Sequence, residues 1–390
     1  MSIGLGFQPG IETLLTCHRD WLVGRRIGLV SHLAAVDAEG RTSAERLWHA
    51  PGLRLAALFG PEHGFAGAAG AGENCDDARH PLWKIPIHSL YGATRAPTPA
   101  MLADIDLLVV DLQDLSCRCY TYVSTLCGVL EAAAAAGKQV IVADRPVPLP
   151  RVSDGPVTDP AFRSFVACTD LPLCYGMTPG ETAQWFQRRH LPAVALSVAP
   201  LRGYRRPAAR GAHWPPWRRP SPAIVSWPAA QAYPALVAFE ALGALDHGRK
   251  TARPFSSFGA EWTDGMKLVR HLSAKPLPGV VFQPYCYASH PGHADSHAIN
   301  GVRMCVIRPH EFRPALTSVT IIHALQELYG IERVWAPQHS RPEFFDKLFG
   351  TDTVRKALLA GDAPSAIAAR WTPALRAFAE SREECLLYGG

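Results

Sequence analysis

Asparagine is nearly missing from this chain: two, Asn74 and Asn300, serve all 390 residues, and arginine far outnumbers lysine. The bias reads as codon usage at the source, and it matters wherever an amide is expected to hold a ligand. Several fingerprints are missing too. No G-x-G-x-x-G follows the first apolar run, and no G-x-x-x-x-G-K-[ST] occurs. The glycine-rich stretch 64–72 has neither spacing, so nicotinamide or nucleoside triphosphate binding lacks its phosphate cradle and no cofactor is expected. There is no G-x-S-x-G elbow. No apolar run reaches the length of a membrane span, which argues against a membrane partner. The amino terminus, MSIGLGFQPGIETLL, has no basic segment leading into an apolar one, so no secretory signal is read there. The ten cysteines are dispersed, with Cys117-x-Cys119 the only close pair, unlike a small disulfide scaffold. Reduced core thiols and a cytoplasmic location are the expectation. Net charge is only +5, and basic residues concentrate only in 205–219, so no nucleic-acid partner is expected.

What the chain does contain is long enough for two lobes. Residues 26–32 (RIGLVSH), 53–59, 105–112 (IDLLVVDL) and 139–143 (QVIVA) are near-continuous apolar runs, as parallel strands covered on both faces should be. Helical segments over 42–49, 121–137 and 178–189 separate or follow them. At Thr178-Pro179-Gly180-Glu181 the order of cap, first-turn proline and third-position glutamate predicts a helix start. The pattern is that of a Rossmann-like, doubly wound, mostly parallel sheet. Residues 203–222, rich in Pro, Arg and Trp, read as a linker or covering loop, with Trp214 and Trp217 expected to pack between lobes rather than stack on a sugar. Beyond it, 226–390 reads as a smaller α/β unit ending in helices over 340–359 and 363–382. The expected division is 1–222 and 223–390, with an active-site cleft between.

Each predicted strand ends in polar groups: Ser31-His32, then Glu62-His63, then Asp111, Gln113 and Asp114, then Asp144-Arg145. Open α/β sheets bind ligands past the carboxyl ends of their strands, so four such ends on one rim argue for a polar crevice. The segment 58–65 (LFGPEHGF) is the most informative of them. Gly60-Pro61 stops the strand, and a carboxylate and an imidazole follow at once. Hydrolysing a glycosidic bond needs one carboxylic acid to protonate the leaving oxygen and a second group to assist water or the sugar cation. Glu62, with His63 to orient it or share its proton, and Asp111 or Asp114 across the crevice, supply such a set. Arg118, Tyr120 and Tyr122 add hydrogen bonds and ring surface for a sugar or a carboxylate. The cluster His290-x-x-His293-x-Asp295-x-His297 has metal-ligating residue types but no zinc spacing, so a solvated loop and no metal are expected.

Taken in order, these motifs resemble one family, the exo-acting β-N-acetylmuramidases of the NamZ type. The similar stretches are Gly60-Pro61-Glu62-His63-Gly64-Phe65, Ser89-Leu90-Tyr91-Gly92 and Asp111-Leu112-Gln113-Asp114 running on through Arg118 to Leu126. Asp144-Arg145-Pro146, Gly176-Met177-Thr178 with Glu181, Pro220-Ser221-Pro222 and Tyr233-Pro234 follow. Phe239-Glu240, Gly248-Arg249, Thr251, Pro254-Phe255 and Leu386-Leu387-Tyr388 close the series. The resemblance implies release of terminal N-acetylmuramic acid, or a related amino sugar, from peptidoglycan fragments in wall recycling. It implies Glu62 as the catalytic acid, and the strand-end reading sets His63, Asp111 and Asp114 beside it, with Asp111 alternatively a structural cap and Asp144-Arg145 alternatively a salt bridge fixing a loop. His32, Gln113, Arg118, Tyr120, Tyr122, Asp144, Arg145, Glu240 and Arg249 would contact the substrate. The partner is then a small muropeptide or amino sugar, and a homo-oligomer is compatible with the sequence.

The chain departs from the family pattern where amides and charges are expected. Ser31-His32, Val147 and Ala223 stand where Asn belongs, and the stretch after Glu240 carries no Asn. Ala66 replaces an Arg, Tyr175 a His and Ser256 a Glu. A lost hydrogen-bonding partner costs on the order of 1–3 kcal/mol. Two readings therefore stand: an active glycosidase with a reshaped subsite, and a non-catalytic or repurposed sugar-binding paralogue of the same fold.

Overall fold

The computed structural model of the protein describes residues 6–206, 210 and 214–389; residues 207–209 and 211–213, within the 203–222 segment, lie outside the description. Its largest sheet is built from β1 (Arg26–Ser31), β2 (Arg54–Gly60), β3 (Ala78–Arg79), β4 (Pro86–Ser89), β5 (Leu107–Asp111) and β6 (Gln139–Ala143), joined by a later strand. After β7 (Asp154–Val157) and β8 (Pro172–Cys174), which pair with each other, β9 (Leu196–Ala199) completes it. The order is β3-β4-β2-β1-β5-β6-β9, parallel except for β3 at the edge. β1 and β5 are buried almost throughout, which explains their unbroken apolar sequences.

Helices α1 (Gly10–Cys17), α2 (Ser43–Trp48), α3 (Pro99–Leu102), α4 (Tyr122–Ala135) and α5 (Pro179–His190) flank the sheet. The expected helix starts are borne out. Thr42 and Thr178 both form capping boxes, with Glu45 and Glu181 at the third position.

The second part of the chain adds α6 (Trp227–Leu236), a 3₁₀ turn over Val237–Ala241, and a three-stranded antiparallel sheet, β10-β12-β11. These strands are β10 (Ser257–Phe258), β11 (Val280–Ala288) and β12 (Ala298–Val306), with α7 (Gly265–Ser273) packed on them. Then come α8 (Pro314–Tyr329), α9 (Ile331–Val334), α10 (Pro342–Phe349), α11 (Thr353–Leu359) and α12 (Pro364–Glu383). The helix expected over 340–359 is two helices, because Gly350 takes a left-handed backbone (φ 70°) and closes α10.

The two parts of the chain share one core: a continuous apolar cluster runs from Val30 on β1 to Cys385 beyond α12. The β7–β8 ladder packs on α8 and α12, and Asp154 accepts from Ala315 N and Leu316 N at the start of α8. Trp214 stacks on Phe7 and Trp217 meets Trp227 edge-on, so both are used in packing, as expected. All ten cysteines are free thiols, and no described helix is long and apolar enough to cross a membrane.

Candidate active site

β2 delivers Glu62 through a tight turn. A Cβ on Gly60 would lie 2.4 Å from the Phe65 nitrogen, so the chain folds back there only because residue 60 has no side chain. His63 is held at φ 71°, a left-handed conformation that a residue with a Cβ adopts at a cost. Its Nδ1 lies 2.8 Å from the Ala69 carbonyl, closing the loop 63–69. The same loop returns to the carboxylate: Gly72 N donates to Glu62 Oε1 at 2.8 Å. Thr121 Oγ1 donates to Oε2 at 2.5 Å. Thr121 is the N-cap of α4, yet its side chain serves Glu62 rather than the helix. The positive end of α4 therefore lies beside this carboxylate.

Glu62 and His63 open onto a cleft of about 550 Å³, a size suited to a small ligand. Residues from both parts of the chain line it. Tyr91, Tyr120, Thr121 and Val166 come from the first part, and Ala223, Tyr233, Glu240, His247, Arg249, Phe255 and Arg341 from the second. Tyr91 sits under the Arg95 guanidinium, 3.4 Å from its ring centroid. Burial and the nearby Glu62 charge raise its phenol above the usual value. Tyr120's hydroxyl is buried without a partner.

Glu240, on the 3₁₀ turn, is the only other carboxylate among the described residues lining the cleft. It is ion-paired with Arg249. Burial raises its carboxyl, Arg249 opposes that, and the Glu62 charge adds to it, which places the two glutamates within each other's field. Burial and the Arg249 charge lower His247 to about 3, leaving a neutral ring with neither nitrogen hydrogen-bonded.

The other rim residues are engaged by protein partners. Asp111 forms a buried ion pair with Arg145 and accepts from Ser43 Oγ. Asp114 accepts from Tyr175 Oη and, at 3.0 Å, from Ser116 N. Asp144 accepts from Gly180 N (2.7 Å), Thr178 Oγ1 (2.7 Å) and Tyr388 Oη (2.6 Å), tying α5 and the carboxyl-terminal tail to β6. Burial and the nearby Glu181 raise its carboxyl to about 7. Arg118, wholly buried, donates to the carbonyls of Pro156, Leu171 and Leu348. Tyr122 Oη donates to Pro220 O at 2.6 Å. His32 Nε2 accepts from Gln113 N at 3.0 Å, and burial with the Arg145 charge lowers this ring to about 3. Gln113's own amide reaches Pro146 O at 2.9 Å.

Of the thirteen residues proposed from sequence, Glu62, His63, Tyr120, Glu240 and Arg249 therefore line the cleft. Asp111, Asp114, His32, Gln113, Arg118, Tyr122, Asp144 and Arg145 do not line it. The physical reason is common to them: a charged or polar group at a buried strand end finds protein partners before it finds solvent. Sequence reasoning missed Thr121, His247 and Arg341. Thr121 falls within the stretch from Asp111 to Leu126 that carries the resemblance, but nothing local singled out its side chain.

The departures from the family pattern also resolve by position. Val147 is buried away from the cleft, Ala66 is exposed, and Tyr175 partners Asp114. Ala223 alone among these lines the cleft. The hairpin tip between β11 and β12 gathers His290, His293 and Asp295, their ligand atoms within 4.8 Å of one another. However, His290 already pairs with Asp295, and the two imidazoles stack with planes 10° apart.

Asp114 yields a prediction. Burial raises its carboxyl to about 6 against an ordinary value of 3.8. Between about pH 4 and 6 the folded protein keeps a proton that the unfolded chain has released, so stability falls as pH rises through that window. The loss is on the order of 3 kcal/mol and is constant above it. Asp114→Asn should match wild type near pH 4 and exceed it at pH 7, measured as the difference in melting temperature across that range. A wild type more stable than the variant at pH 7 would contradict this assignment.

Fold and site together define an α/β protein with a carboxylate-bearing ligand cleft at the carboxyl end of a parallel sheet. Residues 27–228 match the amino-terminal and 231–388 the carboxy-terminal profile described as exo-β-N-acetylmuramidase NamZ. The chain belongs to the NamZ family. It is 32% identical to the peptidoglycan β-N-acetylmuramidase NamZ of Bacillus subtilis (strain 168) over 382 residues, covering 98% of this chain and 91% of that protein. Two crystal structures of DUF1343 family proteins from Bacteroides fragilis share the fold. One has a TM-score of 0.90 at 30% identity, covering 98% and 99% of the two chains. The other has a TM-score of 0.74 at 25% identity, covering 99% of each.

Proposed function

We propose that this protein is a glycoside hydrolase that removes a terminal β-linked N-acetylmuramic acid, or a closely related amino sugar, from peptidoglycan fragments. The reaction is assigned to the cleft between 1–222 and 223–390, and to cytoplasmic turnover of wall material. The observation that carries the reading is Glu62. It opens onto a cleft of sugar size that a second carboxylate, Glu240, also lines, close enough for the Glu62 charge to act on it. Glu62 protonates the leaving oxygen in this scheme. Glu240 assists water or the sugar cation, and His63 borders the acid. Tyr120, Tyr233 and Phe255 supply ring surface for the sugar.

Ala223 favours the alternative, a sugar-binding paralogue without turnover, because an amide is lost on the cleft wall itself. The test is release of 4-nitrophenol from the β-N-acetylmuraminide and from the β-N-acetylglucosaminide. Turnover of the muraminide in preference is the expected result. Well-folded protein that turns over neither would sink the hydrolase reading in favour of the paralogue.

A further inference from the structure

The cleft carries two glutamates and two arginines, but the charges are not evenly paired. Arg249 is committed to Glu240. Arg341, just ahead of α10, forms no ion pair among the described residues, although it is solvent-exposed at the cleft. Its guanidinium is nonetheless held in place. One nitrogen donates to the Glu240 main-chain carbonyl, and the group lies 4.5 Å from the centroid of the Phe344 ring. A neutral acceptor and an aromatic face fix the fork, and although its charge also acts on Glu240 it shares no hydrogen bond with that carboxylate, leaving other donors available.

An anionic ligand entering this cleft meets Glu62 and must be compensated by a cation that is not already hydrogen-bonded to a carboxylate. From this juxtaposition we infer that Arg341 recognises a carboxylate on the substrate and sets the cleft's preference for an acidic sugar over a neutral one. Planar guanidinium and carboxylate match in a two-bond fork, which gives orientation as well as attraction. Arg249 keeps Glu240 in place, and Arg341 reads the ligand. The inference rests on the amino-sugar reading above and names the chemical group that the site selects.

The test is titration calorimetry of N-acetylmuramic acid and its methyl ester against wild type, Arg341→Met and Arg341→Lys. Wild type should bind the acid at least tenfold tighter than the ester, with the preference shrinking as salt is raised. Arg341→Met keeps the apolar stem on Phe344 and should bind both compounds alike, at the ester's level. Arg341→Lys should retain part of the preference, as a point charge without the fork. An Arg341→Met variant that still prefers the acid would overturn the inference, as would a wild type that prefers neither or binds neither. A preference for the acid in a protein that does not cleave the muraminide would leave the recognition standing and remove the hydrolase assignment.

Discussion

Glu62→Gln is expected to reduce turnover of a natural muramyl disaccharide by about 10²–10⁴-fold, the range over which a positioned general acid acts. The amide preserves volume and its oxygen can still accept from Gly72 N or Thr121 Oγ1, so the fold and the affinity for substrate should change little. The choice of substrate sharpens the result. A 4-nitrophenyl leaving group departs as a stabilised phenolate and needs little help from an acid. If Glu62 is the proton donor, the variant should lose far more activity on the disaccharide than on the aryl muraminide. Equal, large losses on both would instead give Glu62 the role of base or nucleophile and pass the acid's role to Glu240. Steady-state rates for the two substrates, wild type against variant, decide between these. Unchanged rates on both would remove Glu62 from the chemistry altogether.

The sequence exposed Glu62 because everything around it is local. An apolar strand, a Gly-Pro stop and a charged pair follow one another within a few residues, and the backbone needs of Gly60 can be read from composition. The parallel sheet was legible for the same reason, since strands buried on both faces leave continuous apolar runs. The rim argument placed the polar groups of four strands correctly at one edge of the sheet. It could not tell which of them turn into the protein. That depends on partners distant in sequence: Tyr388 for Asp144, Arg145 and Ser43 for Asp111, and the Leu348 carbonyl for Arg118. Arg341 was invisible for the converse reason. Nothing in its local sequence marks it, and only folding brings it beside Glu240.

The second large effect concerns Asp111, where a catalytic and a structural role predict opposite outcomes. The side chain is wholly buried at the end of β5 and paired with Arg145, itself almost fully enclosed. Two charges removed from water sustain each other, and removing one leaves its partner uncompensated at a cost of about 3–5 kcal/mol. Asp111→Asn should therefore lower the denaturant midpoint markedly, and Arg145→Met should do the same. The double variant Asp111→Leu/Arg145→Met should lose much less than the sum of the two, because it leaves no orphaned charge, and a buried pair replaced by apolar groups of similar volume is often near neutral. Since Asp111 does not line the cleft, the fraction of Asp111→Asn that remains folded at low temperature should turn over substrate within a few-fold of wild type. Denaturant titrations set beside rates corrected for the folded fraction separate the two roles. An Asp111→Asn variant with wild-type stability and no activity would return this carboxylate to the catalytic set, and would require the cleft to open further toward β5 when substrate is bound.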